Sequence, residues 1–409
     1  MKKLLAFGLA ATLSVAGMGV LAGCTESGDD SGEGSITVGL IALHDSNSTY
    51  DKNFIDAMQE ACDNKGVKLL IRTGIPEDQT CYDTASDLVD QGCDVIFADS
   101  FGHEDFVLQA ARENPDVQFC HATGTKAHTE GVANFHNAFA SIYEGRYLAG
   151  VAAGMKLVEM YEAGKLQANN FDEGGNIKIG YVGAYPYAEV VSGYTSFFLG
   201  AQSVVEEEIE ISISMEVTYT GSWYDEVAES EGANTLIGRG AALISQHADS
   251  MGAPSACEAA GVPNVSYNGS TAEDCPNTFI VSSRINWVPY FEYMIDCVVN
   301  GEAIDTDWTG TIATGSVVLT EFGSAAADGT AEKVAEVQAQ LEAGTLHVFD
   351  CSKFTVNGEH LTSYMADVNT DTNYEPDTEA IANGIFEESE HRSAPYFDVR
   401  IDGITELNS

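Results

Sequence analysis

Short apolar runs and amphipathic stretches alternate along this chain. Ser35 to Ala42 (SITVGLIA) is a brief, β-branched apolar run, the mark of a buried strand. From Asp51 to Lys65, Phe54, Ile55, Met58 and Cys62 recur at helical spacing, and Gly66 stands where such a helix stops. The alternation continues with strands predicted at 67–72, 94–99 and 117–121 and helices at 79–91 and 104–113. After residue 140 the segment SIYEGRYLAGVAAGMKLVEM reads as a helix whose small residues suit close packing. The pattern then restarts, with strands at 177–182, 211–218, 241–245 and 265–267 and helices at 189–205, 224–238 and 252–260. A strand at 278–283, a helix at 288–299 and a strand near 315–319 follow.

Two successive runs of this kind predict an α/β protein with two similar, Rossmann-like lobes, each a parallel sheet covered on both faces. Ligands of open α/β sheets sit beyond the carboxyl ends of the strands. The loops there carry the unusual residues. The first (43–54) holds Asp45, Asn47, Tyr50, Asp51 and Phe54, although Asp51 also suits a helix cap and Phe54 a core position. The third-strand loop holds Phe101 and His103, either as a stacking platform or as a buried turn. The fourth-strand loop (HATGTKAH) leads to an Asn-Phe-His-Asn stretch at 134–137. In the second run the loops are GAYPYAEV (183–190, with Tyr185), TGSWYDE (220–226), SQHAD (245–249) and SYNGS (266–270, with Asn268). Asp225 is placed to cap a helix, whereas Trp223, a large aromatic in a polar turn, reads as a ligand contact. Aromatics from both lobes with Asp, Asn and His around them suit a flat polar ring bearing hydroxyls, since a stacked base gains roughly 1–3 kcal/mol.

Charge and composition narrow the function. Lys and Arg number 18 against 63 Asp and Glu, a net charge of −45, which argues against nucleic acid and against anionic lipid as direct partners. Hydrophobic residues make up 44%, too many for a disordered acidic chain. No HExxH, GxSxG or P-loop pattern occurs, so no enzyme activity, cofactor or metal is expected. Cys257 and Cys275 are the best-placed candidates for a disulfide. At the start, Lys2 and Lys3 precede an apolar run from Leu4 to Val20 and then Leu21-Ala22-Gly23-Cys24. This resembles the lipobox of bacterial lipoproteins and implies a signal peptide over 1–23, lipidation of Cys24 and a tether over 24–34.

Three motifs in order carry a wider resemblance: Asp51-Lys52-Asn53-Phe54-Ile55, YEGRYLAGVAAG at 143–154, and Gly221-Ser222-Trp223-Tyr224-Asp225. The chain resembles the basic membrane protein family, also called purine-nucleoside-receptor-like, over about residues 36–322. The resemblance implies the type I periplasmic-binding-protein fold, one lobe being 35–138 with 285–310 and the other 139–284 with 311–409. Hinges are expected near 137–143, 282–286 and 309–315. It further implies an extracytoplasmic receptor of an ABC importer, held to the cell membrane by its lipid and delivering a nucleoside or related heterocycle to permease subunits. Phe54 and Trp223 fall at the positions that sandwich the base, and Asp45 at its reader. Asn268 stands where the family has a ribose-contacting Asp, and Arg284 lies near a family Lys. A type I sugar-binding protein and a ligand-sensing lipoprotein without transport are the alternative readings.

Overall fold

The computed structural model describes residues 36–371, 373 and 375–408, so the expected signal peptide, the expected lipidation site Cys24 and the expected tether lie outside the described residues. The first strand, β1 (Thr37–Ile41), is buried throughout. Helix α1 (Thr49–Lys65) follows, its start fixed by Ser48, whose side chain accepts from the Asp51 N–H, and its end by Gly66 in the left-handed region. The chain continues through β2 (Lys68–Arg72), α2 (Gln79–Asp90), β3 (Val95–Ala98), α3 (Glu104–Glu113), β4 (Gln118–Ala122), α4 (Ala127–Glu130) and β5 (Phe135–Ala140). Next come α5 (Ile142–Glu162), β6 (Ile177–Gly183), α6 (Ala188–Ile209), β7 (Ile213–Tyr219), α7 (Glu226–Gly238), β8 (Ile244–His247), α8 (Gly252–Ala260), β9 (Asn264–Tyr267) and β10 (Phe279–Ile285). Then follow α9 (Val288–Asn300), β11 (Asp307–Gly310), β12 (Val317–Leu319) and α10 (Thr330–Glu342). Beyond these lie two small hairpins, β13 (Met365–Ala366) with β14 (Thr378–Glu379) and β15 (Ile381–Ala382) with β16 (Ile385–Phe386), and finally β17 (Ile404–Glu406).

Two large sheets result. The first runs β11-β5-β4-β3-β1-β2 and is parallel throughout. The second runs β12-β10-β9-β8-β6-β7-β17, with β12 antiparallel to its neighbour. The chain passes from the first sheet to the second after Ala140, back after Ile285 and across again after Gly310. The long helices α5 and α6 cover the second sheet and touch backbone to backbone. A Cβ at Gly150 would lie 2.1 Å from the Phe197 carbonyl and one at Gly200 the same distance from that of Tyr147. Only glycine permits that approach, which accounts for the small-residue helix seen in the sequence.

Three strands of the two large sheets went unread, β5, β11 and β17, as did the short hairpin strands β13 to β16. His136 and Asn137 interrupt the apolar run of β5, yet both are buried and bonded: His136 Nε2 meets Gln118 Oε1 at 2.9 Å, and Asn137 Oδ1 accepts the Ala127 N–H at 2.8 Å. The expected Cys257–Cys275 bond is absent. All eight described cysteines are free and buried, and burial pushes the Cys257 thiol up to about 12. Among the described residues no helix is long and apolar enough to cross a membrane.

Candidate ligand-binding site

The carboxyl ends of both sheets meet in one enclosed space. From the first sheet it receives Tyr50 and Asp51 on the opening turn of α1, Phe101 after β3 and Thr123 after β4. From the second come Glu189 on α6, Trp223 before α7, and His247, Asp249 and Tyr267 at or just beyond the ends of β8 and β9. Helix α1 and the loop after β8 also bond beside it: the Thr49 N–H donates to the Asp249 carbonyl at 2.9 Å. Aromatic contacts join the same two sides, His44 with Tyr224 at 5.4 Å and Phe101 with Tyr187 at 5.6 Å between ring centroids. The inner space measures about 20 Å³, room for a single water. Phe101, Thr123, Glu189 and Trp223 also border an outer vestibule of about 370 Å³.

Three carboxylates share the inner space, and their surroundings differ. Burial raises the pKa of Asp51, but hydrogen bonds from His44 and Ser48 outweigh it and hold the carboxyl below its usual value. Asp249 has no such support. Burial, then the charges of Asp51, Glu229 and Glu189, drive it well above the carboxylate range. Its carboxyl takes no hydrogen bond from any described residue, so its oxygens are available to a guest. Glu189 Oε1 lies 3.1 Å from His247 Nε2, which carries the proton in this pair because a carboxylate can only accept. Burial lowers the His247 pKa, keeping the ring neutral. Behind them the fully buried Arg146 reaches the Tyr181 hydroxyl and the Gln246 carbonyl and lies 4.5 Å over the Tyr267 ring. The arrangement offers acceptors to hydroxyl or amine donors, with aromatic faces alongside. Among the described residues no group of three metal-ligating side chains converges.

Comparison with known proteins decides the lineage. The family described as PnrA-like ABC transporter substrate-binding proteins matches residues 39–344. The chain belongs to this family. Among curated relatives of this PnrA-like protein, a putative ABC transporter glucose-binding protein of Haloferax volcanii is 31% identical over 64% of the chain and 60% of its own length. A purine-binding protein of Brucella abortus is 30% identical over 63% of the chain and 66% of its own length. Each match thus spans less than two thirds of the relative. An ABC transporter solute-binding protein from Conexibacter woesei superposes with a TM-score of 0.59 at 21% identity, covering 76% of this chain and 98% of that one, and carries the type I fold.

The PnrA-like frame brings together only part of the predicted site. Tyr50, Asp51, Phe101 and Trp223 border the cavity. Tyr185 stacks on Tyr187 at 5.0 Å and meets Trp223 edge-on at 5.2 Å, supporting the wall from behind. Phe54 does not reach the space: it is fully buried and stacks on Trp287 at 4.5 Å. Asp45 and Asn47 form an exposed turn, Asp45 Oδ1 accepting the Asn47 N–H. His103 is buried, with Nε2 on the Ile75 carbonyl at 2.8 Å. Asp225 is the cap of α7, accepting from the Val227 and Ala228 N–H groups. Asn268 and Arg284 line a separate recess beside Thr49 and Lys52. Glu189, His247, Asp249, Tyr267 and Arg146 were not singled out, although the first four lie in strand-end loops the sequence had marked. The available signal was position: polar residues within two or three of a strand's carboxyl end or in a helix's first turn.

Proposed function

We propose that this chain is the extracytoplasmic substrate-binding lipoprotein of an ABC importer, anchored through Cys24, that captures a small polar metabolite by closing its lobes and presents it to permease subunits. A nucleoside or related heterocycle is the favoured ligand. The observation that carries the reading is convergence: Tyr50 and Phe101 from one sheet face Trp223 and Tyr267 from the other around the unpartnered Asp249 carboxyl. Aromatic faces suit a flat ring, and carboxylates suit ribose hydroxyls and exocyclic amines. Because the inner space holds about one water, a ring enters only if the two sides part, and ligand contacts made on both sides then favour the closed form. A sugar is the second reading, supported by the three carboxylates and by the name of the Haloferax volcanii relative.

A thermal-shift screen of the full chain with nucleosides, bases, pentoses and hexoses tests this, since a ligand that binds only the native state raises its melting temperature. Stabilisation by nucleosides, with a smaller radius of gyration in solution scattering, is expected. Stabilisation by hexoses alone would transfer the assignment to sugars, and no response to any compound would end the importer reading.

A further inference from the structure

The C-terminal segment lies beyond the 39–344 span that the family matches, yet it walls the outer vestibule. It is attached to both sheets. Strand β17 pairs with β7, and Glu406 Oε1 accepts from the Tyr194 and Tyr219 hydroxyls at 2.8 and 2.6 Å. At the other side the Ser393 N–H donates to Asp307 Oδ2 on β11 at 3.1 Å. Phe349 stacked on Phe397, at 4.1 Å and 13°, stiffens the segment between. Held this way, Arg392 faces the vestibule opposite Phe101, Tyr187 and Trp223.

We propose that Arg392 forms the outer half of a two-part ligand site, selecting a ligand whose hydroxyl-bearing part enters between the carboxylates while an acceptor-bearing flat ring lies in the vestibule. This rests on the small-metabolite capture proposed above. The two compartments differ in what they offer: the carboxyl groups of Asp51, Glu189 and Asp249 line the inner space, whereas the vestibule, bordered by Glu189 and by Asp398 already paired with Arg400, adds Arg392, which only donates. The guanidinium is oriented in advance. Nε donates to the Ala394 carbonyl and Nη1 to that of Asp367, both at 3.1 Å, and the group lies 5.7 Å over the Tyr396 ring. Nη2 makes no hydrogen bond to a described residue and is free for a carbonyl or ring nitrogen. Phe101 and Tyr187 are 46% and 44% exposed and, although they touch each other and Tyr185 stacks on Tyr187, they leave aromatic surface that a flat ring would cover. The chemical class is therefore a glycosylated heterocycle such as a nucleoside, with the sugar inward.

Titration calorimetry on the full chain with inosine, hypoxanthine, ribose and glucose tests the assignment. Wild type is expected to bind inosine at least tenfold more tightly than either fragment or glucose. Arg392→Met should weaken inosine about tenfold and leave ribose within twofold, and Arg392→Lys should recover part of the loss. Tyr187→Ala, at an exposed position that leaves the core intact, should reproduce the selective loss. Unchanged inosine affinity in Arg392→Met, an equal loss for inosine and ribose, or glucose binding as tight as inosine would each overturn the outer site while leaving metabolite capture standing. Absence of binding by wild type to all four would overturn both.

Discussion

The N–H of Thr49 donates to the carbonyl of Asp249 beside the candidate cavity, at 2.9 Å, making a backbone bond between helix α1 and the loop after β8. Thr49 is the first residue of α1, behind the cap Ser48, and proline is tolerated there because that N–H has no partner within the helix. Ser48 already has the extended backbone that a following proline requires, with φ −75° and ψ 129°. Thr49→Pro should therefore delete this bond and spare the helix. The expected outcome is a larger radius of gyration without ligand and an affinity about five- to tenfold weaker. Identical scattering curves for variant and wild type would show that this bond does not hold the two sides together.

Asp249 illustrates a site that costs stability. The residue is 4% exposed, its carboxyl takes no hydrogen bond from any described residue, and it lies beside Asp51, Glu229 and Glu189. Asp249→Asn removes an ionisable group whose charge is opposed first by burial and then by the neighbouring carboxylates, and is expected to raise unfolding stability by about 1 kcal/mol while weakening ligand binding at least tenfold. Denaturant titration and calorimetry on one preparation read both quantities. A variant that is both less stable and equally tight would contradict the arrangement.

Trp223 and Asp225 sit two residues apart and should behave oppositely. Asp225 Oδ1 accepts from Val227 and Ala228 at 3.1 and 2.9 Å, so Asp225→Ala should cost about 1 kcal/mol of stability with affinity unchanged. Trp223 is only half-buried and borders both compartments. Trp223→Ala should weaken binding by about 1–3 kcal/mol with a smaller effect on stability. Equal effects of the two substitutions on binding would mean that the turn acts as one structural unit.

That pair also shows what the sequence made legible. The alternation of strands and helices gave the sheets because runs such as β1 (TVGLI) and β3 (VIFA) are continuously apolar, and it failed for β5 because buried His136 and Asn137 take partners from other strands and loops that no local pattern reveals. The loops of the site were found from topology, but depth within them was not. Tyr50 and Phe54 lie on the same side of α1, with ring centroids 4.8 Å apart. Only the residue in the first turn reaches the cavity; the other, one turn further on, is core. The outer wall around Arg392 was beyond reach, since its position follows from hairpins and long-range bonds such as Ser393 to Asp307.

Buried histidines make stability depend on acid. Burial holds His121 down at about 4, with Nε2 donating to the Ser100 carbonyl at 2.7 Å, and His103 and His136 are likewise held at about 4. An unfolded histidine titrates near 6.5, so between about 6.5 and 4 the unfolded chain takes up protons that the folded one refuses. Each such histidine stabilises the fold above pH ~6.5 and loses that contribution as the pH falls towards 4. Glu229, pushed up to about 7 by burial, works in the opposite sense: its contribution is full below about 4.3 and is lost as pH rises through 7. A variant comparison isolates one group. The penalty of His121→Gln should shrink by about 2–3 kcal/mol between pH 7 and 4.5. The same penalty at both values, read from denaturant curves, would show that His121 is not held neutral.

Surface charge is the remaining lever. A net charge of −45 on a folded chain repels itself, and Glu206, Glu207 and Glu208 gather in the last turns of α6, which has no basic residue in its final turn. Negative charge at a helix C-terminus opposes the helix dipole, at roughly 0.3–1 kcal/mol per group at low ionic strength. Glu207 is already paired with Lys333 at 2.7 Å, leaving Glu208 as the cleaner probe. Sodium chloride shortens the screening length from about 10 Å at 0.1 M to about 3 Å at 1 M, so the melting temperature of the wild-type protein should climb over that range. Glu208→Gln should add about 0.5 kcal/mol at low salt and close to nothing at 1 M, because the repulsion it relieves is by then screened. A gain that persists undiminished at 1 M would point to a local packing effect in place of the dipole and the surface field.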